Sequence, residues 1–182
     1  MNKNYRTISS PSTAEFRDRN SKFLAFAYPL RTLAEVEEHI ARLREEHPKA
    51  NHVCNAFRIG FDEITEKAND DGEPSGSAGM PILNQLYSFE LTNVLVAVVR
   101  YFGGTKLGVP GLINAYKTAA HHALEKAAII ERAIQAKFTL NSDYTEYPAL
   151  MNVLKSNAVE ILEQELETSA TVVVAVPREE KE

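Results

Sequence analysis

Residues 94–99 read Val-Leu-Val-Ala-Val-Val, six apolar residues without a break, inside a predicted strand from Asn93 to Tyr101. An unbroken apolar run of this length suits a strand buried on both faces, so it must lie inside a sheet with cover on each side. Glycine-bearing loops flank it. The stretch before it, DDGEPSGSAGMPIL, is acidic at Asp70, Asp71 and Glu73. The stretch after it carries Arg100 and Lys106 and packs Gly103, Gly104, Gly108, Pro110 and Gly111 into nine positions. Glycine serves positive φ and close backbone approach. Two such loops beside one buried strand read as one site at the end of a central strand. Its candidate residues are Asp70, Asp71, Glu73, Ser75, Arg100, Gly103, Gly104, Lys106 and Gly108.

The length of 182 residues allows one large domain, or one medium and one small. Cys54 is the only cysteine, which rules out an intramolecular disulfide and is compatible with a reducing compartment. The N-terminus has no apolar core of signal-peptide length, and no run approaches the ~20 apolar residues of a membrane span. The expected location is the cytoplasm, away from membranes. A net charge of −5 argues against a wholesale polyanion coat, but the charge is uneven. Residues 1–31 hold six Lys/Arg against two Asp/Glu, whereas residues 131–182 are strongly acidic. Any basic surface therefore belongs to the N-terminal two thirds.

In chain order, Tyr5 to Ser9 reads as a strand. Glu15 to Lys22 reads as a polar loop or hairpin, and Phe23 to Leu30 as a second strand closed by Pro29. Thr32 to Glu46 has helical periodicity at Leu33, Val36, Ile40 and Leu43, with Thr32 and Glu35 at capping-box spacing. His52 to Ile59 alternates as a strand, with His52 and Cys54 on one face. Gly60 to Gly79 reads as a long shaped loop. Pro81 to Tyr87 is a short helix, and Gly111 to Ile130 is the longest helix, lined by Leu112, Ala115, Tyr116, Ala119 and Ala123. Beyond Glu131 the pattern is strand (Ile134 to Leu140), helix (Tyr144 to Ser156) and two strands (Ala158 to Leu162, Ala170 to Val176).

Several chemistries fail on spacing. Gly103 to Gly108 has the four-residue gap of a P-loop, but Val109 and Pro110 stand where Lys and Ser/Thr are needed. The acidic loop lacks the ligand alternation of an EF-hand. One Cys beside one His falls short of a zinc set, and a Cys-His nucleophile has no further support. No metal and no cofactor is assigned. What survives is a glycine loop leading into a helix N-terminus with cations beside it, a place that favours a phosphate. The bland reading is that the acidic loop occupies that place from within, through pairs to Arg100 or Lys106.

The segments DDGEPSGSAGMPIL (Asp70 to Leu83), VVRYFGGTKLGVPGLINAY (Val98 to Tyr116) and NHVCNAFRIG (Asn51 to Gly60) together resemble the signature of the YigZ/IMPACT family. The resemblance implies an α+β chain. A ribosomal-protein-S5-domain-2-like domain over residues 1–131, four strands on two helices, would precede a ferredoxin-like domain over 132–182 that lacks its last helix. It also implies a likeness to the last two domains of the translocase elongation factor, which touch the ribosome. Eukaryotic members regulate translation by competing for a kinase activator, through an additional N-terminal domain that is not expected here. No family catalytic residues carry over. The expected role is a nucleic-acid- or ribosome-binding factor linked to translation rather than an enzyme. The alternative is an enzyme acting on a phosphate-bearing or peptide substrate at Asp70–Glu73 and Arg100–Lys106. A third reading makes both loops purely structural.

Overall fold

The computed structural model describes residues 3–178. In chain order its elements are β1 (Asn4–Ile8), β2 (Ser12–Asp18), β3 (Ser21–Pro29), α1 (Ala34–Glu46), β4 (His52–Ile59), β5 (Thr65–Asn69) and α2 (Gly79–Ser88). There follow β6 (Val94–Tyr101), α3 (Gly108–Glu125), β7 (Ile129–Ala133), β8 (Gln135–Ser142), α4 (Tyr147–Ser156), β9 (Glu160–Leu166) and β10 (Ala170–Pro177). The chain divides into two units, Tyr5–Arg132 and a smaller one of residues 133–178 with residues 3–4.

The apolar run is β6, the middle strand of an antiparallel sheet in the order β2-β3-β6-β4-β5. Its alternate residues feed two separate cores. Val94, Val96 and Val98 join Ile82 and Leu86 of α2 and Leu112, Ala115, Tyr116 and Ala119 of α3. Leu95, Ala97 and Val99 join Val36 and Leu43 of α1 with Val53 and Phe57 of β4. Burial on both faces thus comes from helices on both sides of an antiparallel sheet, with α1, expected from its periodicity, as a third helix beyond the two that the family resemblance implies. The alanines of α3 are fully buried, which lets its axis lie close over the sheet. A two-stranded sheet of β1 and β7 completes this unit.

Of two segments, Glu15 to Lys22, read as a loop or hairpin, is a hairpin, and Gly60 to Gly79, read as a long loop, contains a strand. β2 pairs with β3 around a two-residue turn at Arg19 (φ 44°) and Asn20 (φ 65°), the left-handed geometry that matches strand twist. β5 pairs with β4 along its outer edge. Both are edge strands. β2 turns only Ala14 and Phe16 inward, and β5 only Ala68. So short an apolar signal, set among charges that protect an edge, reads as loop in sequence. The expected Thr32 cap is also absent: α1 begins at Ala34 with no side-chain cap. Half of the box remains, because the Glu35 carboxylate accepts N–H bonds from Arg31 at 2.6 Å and Thr32 at 3.3 Å. α3 ends at Glu125 rather than near Ile130, since β7 begins at Ile129.

In the smaller unit β10 lies between β8 and β9, all antiparallel, and α4 covers one face through Leu150, Met151 and Leu154 against Val172 and Val174. The chain is thus α+β, with a small β-rich C-terminal region. The expected absence of a last helix falls on residues 179–182, outside those described.

Glycine at 103 and at 104 does different work. A Cβ on Gly103 would stand 2.1 Å from the backbone carbon of Asn20 in the β2–β3 turn, and its N–H donates to the Ser21 hydroxyl at 3.1 Å. A Cβ on Gly104 would meet nothing within 4 Å, but φ there is +87°. Chemical denaturation should therefore show Gly103→Ala losing about 2–4 kcal/mol by overpacking against backbone. Gly104→Ala should lose only about 1–2 kcal/mol, from left-handed strain.

Candidate functional site

The three acidic residues of the first loop have three different jobs. Asp70, at the end of β5, accepts backbone N–H bonds from Ala78 and Gly79 on one oxygen, at 3.0 and 2.8 Å, and from Gly76 on the other at 2.8 Å. It thereby caps the start of α2 from a distance in sequence that no capping motif shows. Burial pushes the Asp70 carboxyl up, but the three N–H bonds outweigh it and hold the carboxyl below its ordinary range. Asp71 accepts from the Arg44 guanidinium of α1 and from the Val53 N–H of β4, both at 2.6 Å. Both carboxylates are engaged by these partners, which removes the support for acid–base work by Asp70 or Asp71.

Glu73 goes into the core. Its side chain is 4% exposed, and its Oε1 accepts from Arg100 Nη1 at 2.5 Å and from the Tyr116 hydroxyl at 2.7 Å. Arg100 is the penultimate residue of β6 and is 7% exposed at its side chain. Its guanidinium lies between the rings of Phe23 and Phe102, at 5.5 and 5.6 Å. Its Nε has no hydrogen-bond partner among the described residues. Of the pairings foreseen between the loops, Glu73 to Arg100 is the one that forms. Lys106 makes no ion pair among the described residues and is exposed. Ser75 is exposed too, and the buried hydroxyl of this loop is that of Ser77, which donates to the Pro74 carbonyl at 2.6 Å.

Cys54 and Tyr116 sit fully buried beneath this pair. The Cys54 thiol donates to the Asp70 carbonyl at 3.0 Å. Burial, reinforced by the nearby carboxylates, pushes the thiol far up, which disfavours the thiolate a nucleophile needs. Burial likewise pushes the Tyr116 hydroxyl far up, keeping it a donor to Glu73.

Above the pair lies a cleft of about 520 Å³. Glu73 and Arg100 form part of its lining, with Asn51, His52 and Pro74 on one side and Phe102, Lys106 and the start of α3 on the other. The size is that of a small-ligand site. Of the nine candidate residues, Glu73, Arg100, Lys106 and Gly108 line this cleft. Gly103 and Gly104 shape the loop that carries Lys106, and the Lys106 carbonyl accepts from Arg19 of the β2–β3 turn at 3.4 Å. Asp70, Asp71 and Ser75 are not among the lining residues. α3 begins at Gly108 with no side-chain cap among the described residues, and Pro110 lacks an N–H.

Sequence reasoning passed over three lining residues. His52 Nδ1 lies 2.8 Å from the Asp71 carbonyl, and its Nε2 lies 3.8 Å from Glu73 Oε1. Phe102 is 46% exposed. Its backbone N–H donates to Asn51 Oδ1 at 2.8 Å, which orients the Asn51 amide. The alternation of β4 does place His52 on the face of Cys54, but nothing local shows that this face meets the Lys106 loop. Among the described residues no three His, Cys, Asp or Glu side chains are grouped to hold a metal ion.

The Asp70 geometry gives a pH signature. A carboxyl held low in the folded state stabilises it above the ordinary carboxylate range, and that contribution is lost as pH falls through the lowered folded value. Asp70→Asn should lose about 1–3 kcal/mol at neutral pH. In denaturation series, its deficit against the parent should be full above about pH 5 and should shrink as pH falls below the ordinary carboxylate range.

The family model for the Impact N-terminal domain matches residues 19–124. YvyE of Bacillus subtilis strain 168, an IMPACT family member, is 35% identical over 178 residues, which cover 98% of this chain and 81% of that protein. A crystal structure of a hypothetical protein superposes with a TM-score of 0.82 at 24% identity, covering 100% of this chain and 89% of the other, and shows the fold. The two-domain translational regulator Yih1 matches at 30% identity with a TM-score of 0.41, over 67% of this chain and 47% of its own. Among the described residues no helix is long and apolar enough to cross a membrane. A domain model over more than half of the sequence, and a relative matched along nearly all of it, place this chain in the IMPACT family.

Proposed function

We propose that this chain binds RNA in the setting of translation, on the ribosome or free, through the loop at Phe102–Gly108 and the start of α3. The observation that carries the proposal is the difference between the two cations of the second loop. Arg100 is neutralised inside the protein by Glu73, whereas Lys106 projects from the cleft rim with no ion pair among the described residues. Beside Lys106 stand a half-exposed aromatic ring, Phe102, and the uncapped amides of α3. A cation and helix amides suit a phosphate, and an exposed ring suits a base. Arg19, on the adjoining turn and beside Asp18, donates to the Lys106 carbonyl and so steadies the loop that carries this cation. With a net charge of −5 the contact is local rather than a coat.

Translation is the context that the family resemblance implies; the Yih1 likeness, at its TM-score, carries none of the argument. The same proposal takes residues 1–131 as an S5-domain-2-like domain, residues 132–182 as a ferredoxin-like one, and the cytoplasm as the location. The enzyme alternative at the acidic loop has less support, because Asp70 and Asp71 are held by backbone amides and Arg44.

Fluorescence anisotropy with a single-stranded RNA 12-mer across a potassium chloride series tests this. Affinity should fall steeply with salt, and Lys106→Ala should weaken binding several-fold and reduce the log–log salt slope by about 0.7. No binding at low salt, or an affinity indifferent to salt and to Lys106, overturns the proposal.

A further inference from the structure

Resting on that RNA-binding reading, we infer that the cleft recognises the 2′-hydroxyl of a ribonucleotide, and that His52 is the residue that separates RNA from DNA. The Asp71 carbonyl can only accept a hydrogen bond, so at 2.8 Å it holds the imidazole hydrogen on Nδ1. In the neutral ring Nε2 is then a bare acceptor on the cleft wall. Its nearest polar neighbour is Glu73 Oε1, at 3.8 Å, which is beyond hydrogen-bond range and itself an acceptor already engaged by Arg100 and Tyr116. The protein supplies Nε2 with no donor among the described residues. Arg100, below it, likewise keeps an unpartnered Nε–H. Nε2 of His52, on a side chain that is 24% exposed, is thus an acceptor open to a ligand in the cleft.

The ligand must bring a donor to His52 and an anion to Lys106. A phosphate offers only acceptors, so it satisfies Lys106 and the α3 amides and not Nε2. In a nucleotide the sugar lies between base and phosphate. With the base against Phe102 and the phosphate at Lys106, the sugar is the part left to face His52. RNA presents a hydroxyl donor there and DNA does not, which is the general means by which proteins distinguish the two.

The test compares oligomers of one sequence with 2′-hydroxyl, 2′-deoxy and 2′-O-methyl sugars at a single salt concentration. The hydroxyl form should bind about fivefold or more tightly than either of the others, the net worth of one hydrogen bond. His52→Phe should abolish that preference, bringing the affinities for the hydroxyl and deoxy forms together. Because this change also removes the bond to Asp71, the unaltered protein is titrated in parallel with its histidine nitrogens observed by NMR. The Nε2 signal of His52 should move with RNA and not with the deoxy form. Equal affinity for all three sugars with a silent Nε2 overturns the inference and leaves RNA binding standing. Failure of every oligomer to bind at low salt overturns both.

Discussion

The contact between Glu73 and Arg100 joins three separate elements of the larger unit. Glu73 comes from the acidic loop, Arg100 from the end of the central strand, and Tyr116, which completes the group, from the middle of the longest helix. Two opposite charges are both nearly excluded from water here. Such a pair does not by itself make a protein more stable than a well-packed apolar core would. Breaking it by removing one partner, however, typically costs about 3–5 kcal/mol, because an uncompensated charge stays buried. The loop therefore has one place to go, and Asp70 and Asp71 fall into register with the helix amides, Val53 and Arg44 as a consequence.

That pair also decides what is left for function. By neutralising Arg100 it turns an obvious anion-binding residue into the floor of a cleft. On the cleft wall this leaves Lys106, Phe102 and His52, on which the proposed RNA contact rests. Gly103 holds the Lys106 loop against the β2–β3 turn, so the rim is fixed by backbone packing and not by charge.

The fold was legible where one element buries many residues. The unbroken apolar run of Val94 to Val99 announces itself by length, and the small-residue face of α3 and the strand at His52–Ile59 by period. β2 and β5 do not, because an edge strand with one or two inward residues has no period to read. At the site, the grouping of Glu73, Arg100, Lys106 and Gly108 was legible from two glycine loops flanking one strand. The role of Asp70 was not, because its three amide donors lie six to nine residues ahead and become neighbours only when the loop closes on itself. His52 escaped for a related reason: the feature that makes it notable is a carbonyl, Asp71, which any residue type could supply.

The measurement that bears most directly on this account is a double-mutant cycle on the buried pair, with Glu73→Gln, Arg100→Met and the double variant compared by urea denaturation. If the pair organises the loops, each single change costs about 3–5 kcal/mol and the double costs well below their sum, with a coupling of about 2 kcal/mol or more. Single changes below about 1 kcal/mol that simply add would contradict it, and would mean that the acidic loop is held in place by Asp70 and Asp71 alone.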